Sequence, residues 1–337
     1  MKFDSEKKQA IKLYILEKIA AKATGISASA AQAFGISTNT AHTYLKELQE
    51  AGIIEREQRG RYRLAAETFV YQMRRSAGDL DSDTHAFDVC LSKHIAELPP
   101  NVKQIWSYAF SEMVNNVMDH SGAELMEICV TVNYLETSVS IHDNGVGIFE
   151  KIKRHFSLPS LDEAICELFK GKLTTDSENH SGEGIFFTSR MMDTFLILSD
   201  RKIFTTTKYQ NDHILDIGED TAGTAVFMSL SNFTHKTARE VFDLYANVDG
   251  GFMKTRIPLK SIFDSAPVSR SQAKRICNRL DEFEEVILDF DGIGWMGQGF
   301  AHQLFVVYRR EHPEITLIPE GMNESVLSMY RHVTKTV

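Results

Sequence analysis

Glu112 and Asn116 stand four residues apart in NVKQIWSYAFSEMVNNVMDH, residues 101–120, whose apolar spacing is that of a helix. Four residues make about one turn, so a carboxylate and a carboxamide project from one face and can enter one cavity. The pair alone equally describes two polar side chains on the wet face of a helix. Three further motifs follow it in order. Asp143-Asn144-Gly145-Val146-Gly147-Ile148 comes directly after a strand expected at 138–142, although its Asn-Gly also fits a plain hairpin turn. Ser181-Gly182-Glu183-Gly184-Ile185 opens an apolar helix that runs to residue 192. Glycines ahead of a helix N-terminus let backbone N–H groups approach phosphate oxygens. Gly223-Thr224-Ala225-Val226-Phe227 then begins a strand.

The elements that must position these groups fall into three blocks. A chain of 337 residues holds two or three domains at about 150 residues each. With 37 Lys and Arg against 46 Asp and Glu, the net charge of −9 excludes a uniformly basic nucleic-acid coat protein. No stretch approaches the roughly 20 apolar residues of a membrane span. The start, MKFDSEKKQA, lacks the apolar core of a signal peptide. Cys90, Cys129, Cys166 and Cys277 form no CxxC pair, so neither a disulfide framework nor a zinc site is expected. These features point to a cytoplasmic protein without a membrane partner. Residues 1–65 carry 11 basic against 7 acidic residues, so a basic head sits on an acidic body and the head alone is suited to a polyanion. The expected division is 1–65, 66–232, a linker at 233–257, and 258–337. A helix at 237–246 could belong to either side of that linker.

Taken as an ordered set over residues ~70–232, the four motifs resemble the Bergerat-type ATP-binding α/β sandwich shared by gyrase, Hsp90, histidine kinases and MutL, the GHKL superfamily. The resemblance implies ATP and Mg2+ as ligands. It makes Glu112 the catalytic residue that polarises water or a hydroxyl, and Asn116 the magnesium ligand bridging to the phosphates. Asp143 would accept the adenine amino hydrogen, with Thr224 beside the base. Gly145 and Gly147 would keep the nucleotide wall thin, and Gly182 and Gly184 would form the phosphate loop. Residues 149–180, with Lys170, Lys172 and Thr174-Thr175, would be the lid, and His120 would close the first motif as a helix-end residue. Neither His85 nor His94 has the setting of a histidine-kinase phosphoacceptor. Segment 66–100 is also too short for a dimerising helix pair, so the module looks closer to compact anti-sigma-type serine kinases.

In the basic head, residues 5–23 read as an amphipathic helix with Ile11, Ile15 and Ile19 on one face. A short helix at 28–34, a turn at Gly35 and a helix at 38–50 follow. Ser37 is suited to cap that last helix and Gly52 to end it. Short strands at 53–57 and 61–64 flank Gln58-Arg59-Gly60. The order Gly-Ile-Ser-x-x-Thr … Leu-x-x-Leu-x-x-Ala-Gly-Ile-Ile resembles a winged helix-turn-helix. Thr38, Asn39, Thr40, His42 and Thr43 would then face base edges of double-stranded DNA, and Lys46, Arg59, Arg61 and Arg63 its phosphates. The same fold also serves as a dimerisation or protein-docking module. The modest charge favours two copies on one site, hence a homodimer.

In the last block a buried strand at 283–290 leads through Asp291-Gly292-Ile293-Gly294-Trp295-Met296-Gly297-Gln298-Gly299 to a helix at 301–310, a strand at 315–319 and a helix at 324–332. This order resembles the STAS-like α/β domain found beside such ATPases, a candidate protein-docking surface. The antagonists of that fold carry a phosphorylated serine in this loop, whereas Gly297-Gln298-Gly299 has no hydroxyl. The nearest hydroxyls, Ser269 and Ser271, precede a basic helix. The expected whole is an α+β multidomain, ATP-responsive, DNA-binding transcriptional regulator. The alternative is an anti-sigma-like protein serine/threonine kinase or slow ATPase acting on a partner protein.

Overall fold

Apolar residues at helical spacing gather the N-terminal helices. A computed structural model describes residues 5–58, 60–173, 182–206, 222–263 and 265–335. Helix α1 (Ser5–Ala20) buries Ile11, Ile15, Leu16 and Ile19 against α2 (Ile26–Phe34) and α3 (Thr38–Glu50). Gly35, at φ 62°, ends α2, and the Ser37 hydroxyl accepts the Thr40 N–H at 3.0 Å, a cap worth about 1 kcal/mol. Strands β1 (Ile54–Gln58) and β2 (Arg61–Leu64) close this unit as an antiparallel hairpin.

The chain then enters β3 (Ala66–Arg74), α4 (Asp83–Cys90) and α5 (Pro100–Asn116), whose last turn widens into a π-turn, Val117–Ser121. Strands β4 (Leu125–Asn133) and β5 (Glu136–Asp143) follow, then α6 (Ile148–His155), α7 (Leu161–Lys170), α8 (Gly184–Met191), β6 (Thr194–Ser199), β7 (Lys202–Thr205) and β8 (Thr224–Ser231). The strands form one antiparallel sheet in the order β3-β4-β5-β8-β6-β7. Alternation decides its buried face: Met126, Ile128 and Val130 on β4, Val139 and Ile141 on β5, and Phe195 and Ile197 on β6 all point into the core that holds α5 and α8. The N-terminal unit rests on the turn between β4 and β5, where Tyr134 and Leu135 pack on its core and Gln9 donates to the Tyr134 hydroxyl.

The stretch read as a linker, 233–257, is itself structured. It contains α9 (Ala238–Tyr245), started by a Thr237–Glu240 capping box, and β9 (Lys254–Pro258). Phe242 and Tyr245 of α9 meet Phe187 and Phe186 of α8 edge-on or tilted, which ties α9 to the central unit. Strand β9 pairs in parallel with β10 (Glu285–Asp289), which pairs in parallel with β11 (Thr316–Glu320). Around this sheet lie α10 (Leu259–Ile262), α11 (Arg270–Cys277), α12 (Gln298–His302), its continuation through a π-turn into α13 (Arg309–Glu311), and α14 (Glu324–Thr334). Central and C-terminal residues share one continuous apolar core. No described helix is long and apolar enough to cross a membrane.

Candidate functional site

A cavity of about 250 Å³ opens between α5, the end of β5, the start of α8 and the start of β8. Six of the expected residues line it: Glu112, Asn116, Asp143, Gly182, Gly184 and Thr224. They come from four segments spread over more than 100 residues, so the fold rather than the sequence brings them together. Much of the remaining wall is apolar, with Ile141, Ile152, Ile185 and Ile197 among its side chains.

The loop after β5 sets the floor. Asp143 is 2 % exposed, and its Oδ1 accepts the Gly145 N–H at 2.8 Å. Burial raises its carboxyl from the ordinary aspartate value, and the Gly145 N–H, the nearby His142 and the Thr224 backbone N–H oppose that rise. The Asn144 side chain accepts the N–H groups of Glu124 and Leu125, and Val146 N–H donates to the Ser121 carbonyl. The loop is therefore held on two sides. Gly145 and Gly147 do not reach the cavity surface; Val146 and Ile148 do. The two glycines permit close approach of this loop to its neighbours. A Cβ at Gly145 would overlap the Ser121 backbone, and one at Gly147 the Asp200 carboxylate. The Ile148 N–H donates to both Ser199 Oγ and Thr224 Oγ1 at 3.1 Å, which ties the start of α6 to β6 and β8.

At the other end of the cavity, a Cβ on Gly184 would overlap the Glu112 carboxylate. The N-terminal turn of α8 and the carboxylate of α5 thus meet at one point, where backbone N–H groups carry partial positive charge. His120 and Lys151 also line the cavity. His120 lies in the widened last turn of that helix, four residues after Asn116. Lys151 donates to the His120 carbonyl at 2.6 Å, and no sequence motif marked it.

The expected lid divides differently. Lys170 is buried, pairs with Glu167 at 2.7 Å, and donates to the carbonyls of Arg275 and Asn278. Lys172 donates to the Glu282 carbonyl at 2.6 Å and lies over the Phe252 and Phe283 rings. Both lysines therefore face the C-terminal unit rather than the cavity. Thr174-Thr175 and Ser181 lie outside the described residues.

On the N-terminal unit, Thr38, Asn39, His42, Thr43 and Lys46 form an exposed face of α3. Thr40 does not share it fully: its hydroxyl pairs with Ser37 Oγ at 2.9 Å. Arg61 is exposed, Arg63 is engaged by Glu55, and Arg59 lies outside the described residues. A second hollow of about 690 Å³ runs between α2, α3 and the hairpin, lined by Thr38, His42, Arg56 and Tyr62.

In the C-terminal unit, a Cβ at Gly297 would overlap the Val268 backbone, and Gly297 N–H donates to the Pro267 carbonyl. Gly297 is therefore a packing device, whereas Gly294 has open space around it. Ser269 caps α11, and its hydroxyl also meets Ser271 Oγ at 2.9 Å. No cluster of three or more His, Cys, Asp or Glu side chains able to hold a metal occurs among the described residues. Residues 272–327 match the family described as a STAS-like domain of unknown function (DUF4325). No curated protein matches the chain.

Proposed function

We propose that this protein is an ATP-responsive, DNA-binding regulator built from a winged helix, a Bergerat-type nucleotide module and the STAS-like unit. One observation carries the reading: Glu112, Asn116, Asp143, Gly182, Gly184 and Thr224 line a single, mostly apolar cavity. A largely apolar cavity with one buried carboxylate suits a base that donates an amino hydrogen, and Asp143 is that carboxylate. The start of α8 suits phosphate, because its first backbone N–H groups lack intrahelical partners. Glu112 and Asn116 bring hard oxygen donors to the same end, which is the chemistry Mg2+ accepts. The bound nucleotide would supply a transferable phosphoryl group, with the cation neutralising its charge. The chain's own task is to bind, orient and shield it.

The exposed face of α3 and the exposed Arg61 support DNA as the ligand of the N-terminal unit, and a pair of copies would double the number of phosphate contacts. The STAS-like unit is the natural seat of a protein partner. Titration of the full chain with Mg-ATP by calorimetry tests the nucleotide arm: saturable heat supports it, and none at millimolar ATP overturns it. Selection from a random duplex pool at low salt tests the DNA arm, and no enrichment would leave a docking module in its place.

A second reading, a serine/threonine kinase or slow ATPase, is favoured by the contact between the Glu112 carboxylate and Gly184. A base at the phosphate end can accept a proton from water or a hydroxyl. Labelled phosphate appearing in solution or on a protein would select it.

A further inference from the structure

The wall of the cavity formed by Leu168, Gly171 and Leu173 alternates with residues that face the opposite way. The Lys170 carbonyl accepts the Thr255 hydroxyl of β9 at 2.7 Å, and the Lys172 carbonyl accepts Arg279 Nη2 at 2.7 Å. The cavity wall is thus fastened from behind by the C-terminal unit. Arg279 is the most connected of these fasteners. Its guanidinium reaches Glu167 on α7 at 3.4 Å, both carboxylate oxygens of Glu282, and the face of Phe156 at the end of α6. Glu167 itself is buried with Lys170 and accepts the Asn278 amide at 3.0 Å. Arg279 also holds a left-handed backbone, φ 55°, a conformation that costs a residue with a Cβ and persists where its surroundings demand it.

We propose that Arg279, inside the STAS-like match, is a positioning residue of the cavity: it holds segment 167–173 in the shape that binds ligand. The C-terminal unit is then a regulator of the pocket, and any partner that shifts Arg279 changes ligand affinity. The regulatory claim rests on the nucleotide reading above, whereas the fastening of the wall does not.

The test uses the full chain and the variants Arg279→Ala and Arg279→Lys, with Mg-ATP as the probe. Without ligand, Arg279→Ala should raise amide hydrogen exchange at 167–173 and leave that of α5 and β5 unchanged. Its Mg-ATP affinity should fall about ten-fold, the loss expected when the competent wall is populated about one-tenth of the time. Arg279→Lys, which keeps a cation beside Glu167, should recover part of both. If Arg279→Ala does not fold, Thr255→Val removes only the hydroxyl bonded to the Lys170 carbonyl and should give the same pattern. Unchanged exchange at 167–173 overturns the proposal whatever the nucleotide result. Raised exchange with unchanged affinity overturns the positioning role. Wild-type protein that binds no Mg-ATP defeats the nucleotide reading and with it the regulatory claim, while the exchange arm still decides whether Arg279 holds the wall.

Discussion

Gly184→Ala separates the cavity's function from the stability of its fold. The new Cβ would overlap Glu112 Oε2 and stand 2.8 Å from Glu112 Cδ and 3.4 Å from its Cβ. These atoms belong mostly to the mobile end of a long side chain, so the carboxylate can swing aside. A displaced rotamer costs about 0.5–1.5 kcal/mol. Against that, Ala is favoured over Gly within a helix by up to about 1 kcal/mol, and residue 184 has no left-handed backbone to strain. The two effects nearly cancel, so the melting temperature should move by less than about 4 °C. Ligand binding should not escape. A carboxylate moved from its place forfeits a charge-assisted contact worth about 1.5–3 kcal/mol, or roughly ten- to a hundred-fold in the Mg-ATP dissociation constant. Scanning calorimetry reads the first quantity and titration calorimetry the second. Wild-type affinity in a folded Gly184→Ala protein would refute the assignment of Glu112 to the ligand. A large fall in melting temperature would refute the claim that its side chain can yield.

Asp143→Asn should weaken Mg-ATP by about 1–3 kcal/mol, measured by the same titration. Because burial raises the Asp143 carboxyl, its protonated form is more favoured in the folded chain than in the unfolded one. The resulting stability is present below the ordinary unfolded value, about 3.9, and is lost as pH rises through the raised folded value. At neutral pH the Asn variant without ligand should therefore melt no lower than wild type. Wild-type affinity should fall as pH drops through that raised value, and the Asn variant should show no such fall. Gly223→Ala forces a Cβ onto the Asp143 carbonyl at φ +83°, so thermal melts should report a loss of roughly 2–5 kcal/mol from backbone strain and overpacking. For DNA, Asn39→Ala should relax discrimination by about 1–3 kcal/mol, while Arg61→Ala should weaken all sequences alike and reduce the salt slope by about 1. Fluorescence anisotropy across a salt series distinguishes the two.

Local signals carried much of the site. The i, i+4 ladder through Glu112 and Asn116 was legible because a helix fixes which residues share a face, and Asp143 and Thr224 face each other directly where β5 ends and β8 begins. Lys170 misled because a lysine within an expected lid segment looks solvent-bound in sequence. Its partners are the carbonyls of Arg275 and Asn278, more than 100 residues away, and a backbone acceptor leaves no mark in the residue type. Strand β9 was missed for a related reason. Lys254–Pro258 has no apolar run, since it is an edge strand of three, and Gly250-Gly251 stand shortly ahead of it. Those glycines close a turn in which the Asn247 side chain accepts the Asp249 and Gly251 N–H groups.

The position of the cavity limits how a ligand there can reach the N-terminal unit. Asp143 lies at one end of β5, and the Tyr134–Leu135 turn that carries the N-terminal core lies beyond the other. At about 3.3 Å per residue the two ends are separated by roughly 23 Å. Strand β5 is paired with β4 and β8 in unbroken register, so it is a stiff spacer. The physical warrant for coupling is an element with two arrangements that both sites bias, and the unbroken pairing of β5 on both edges resists a second one. The wall at 167–173 differs, because its backbone is fastened by side chains of another unit rather than by a strand ladder. Under the proposed function, the nucleotide's influence therefore runs outward through Arg279 to the STAS-like surface. It reaches DNA by way of whatever that surface binds, a second copy or a partner protein, and not along the strand that joins the two sites in one chain.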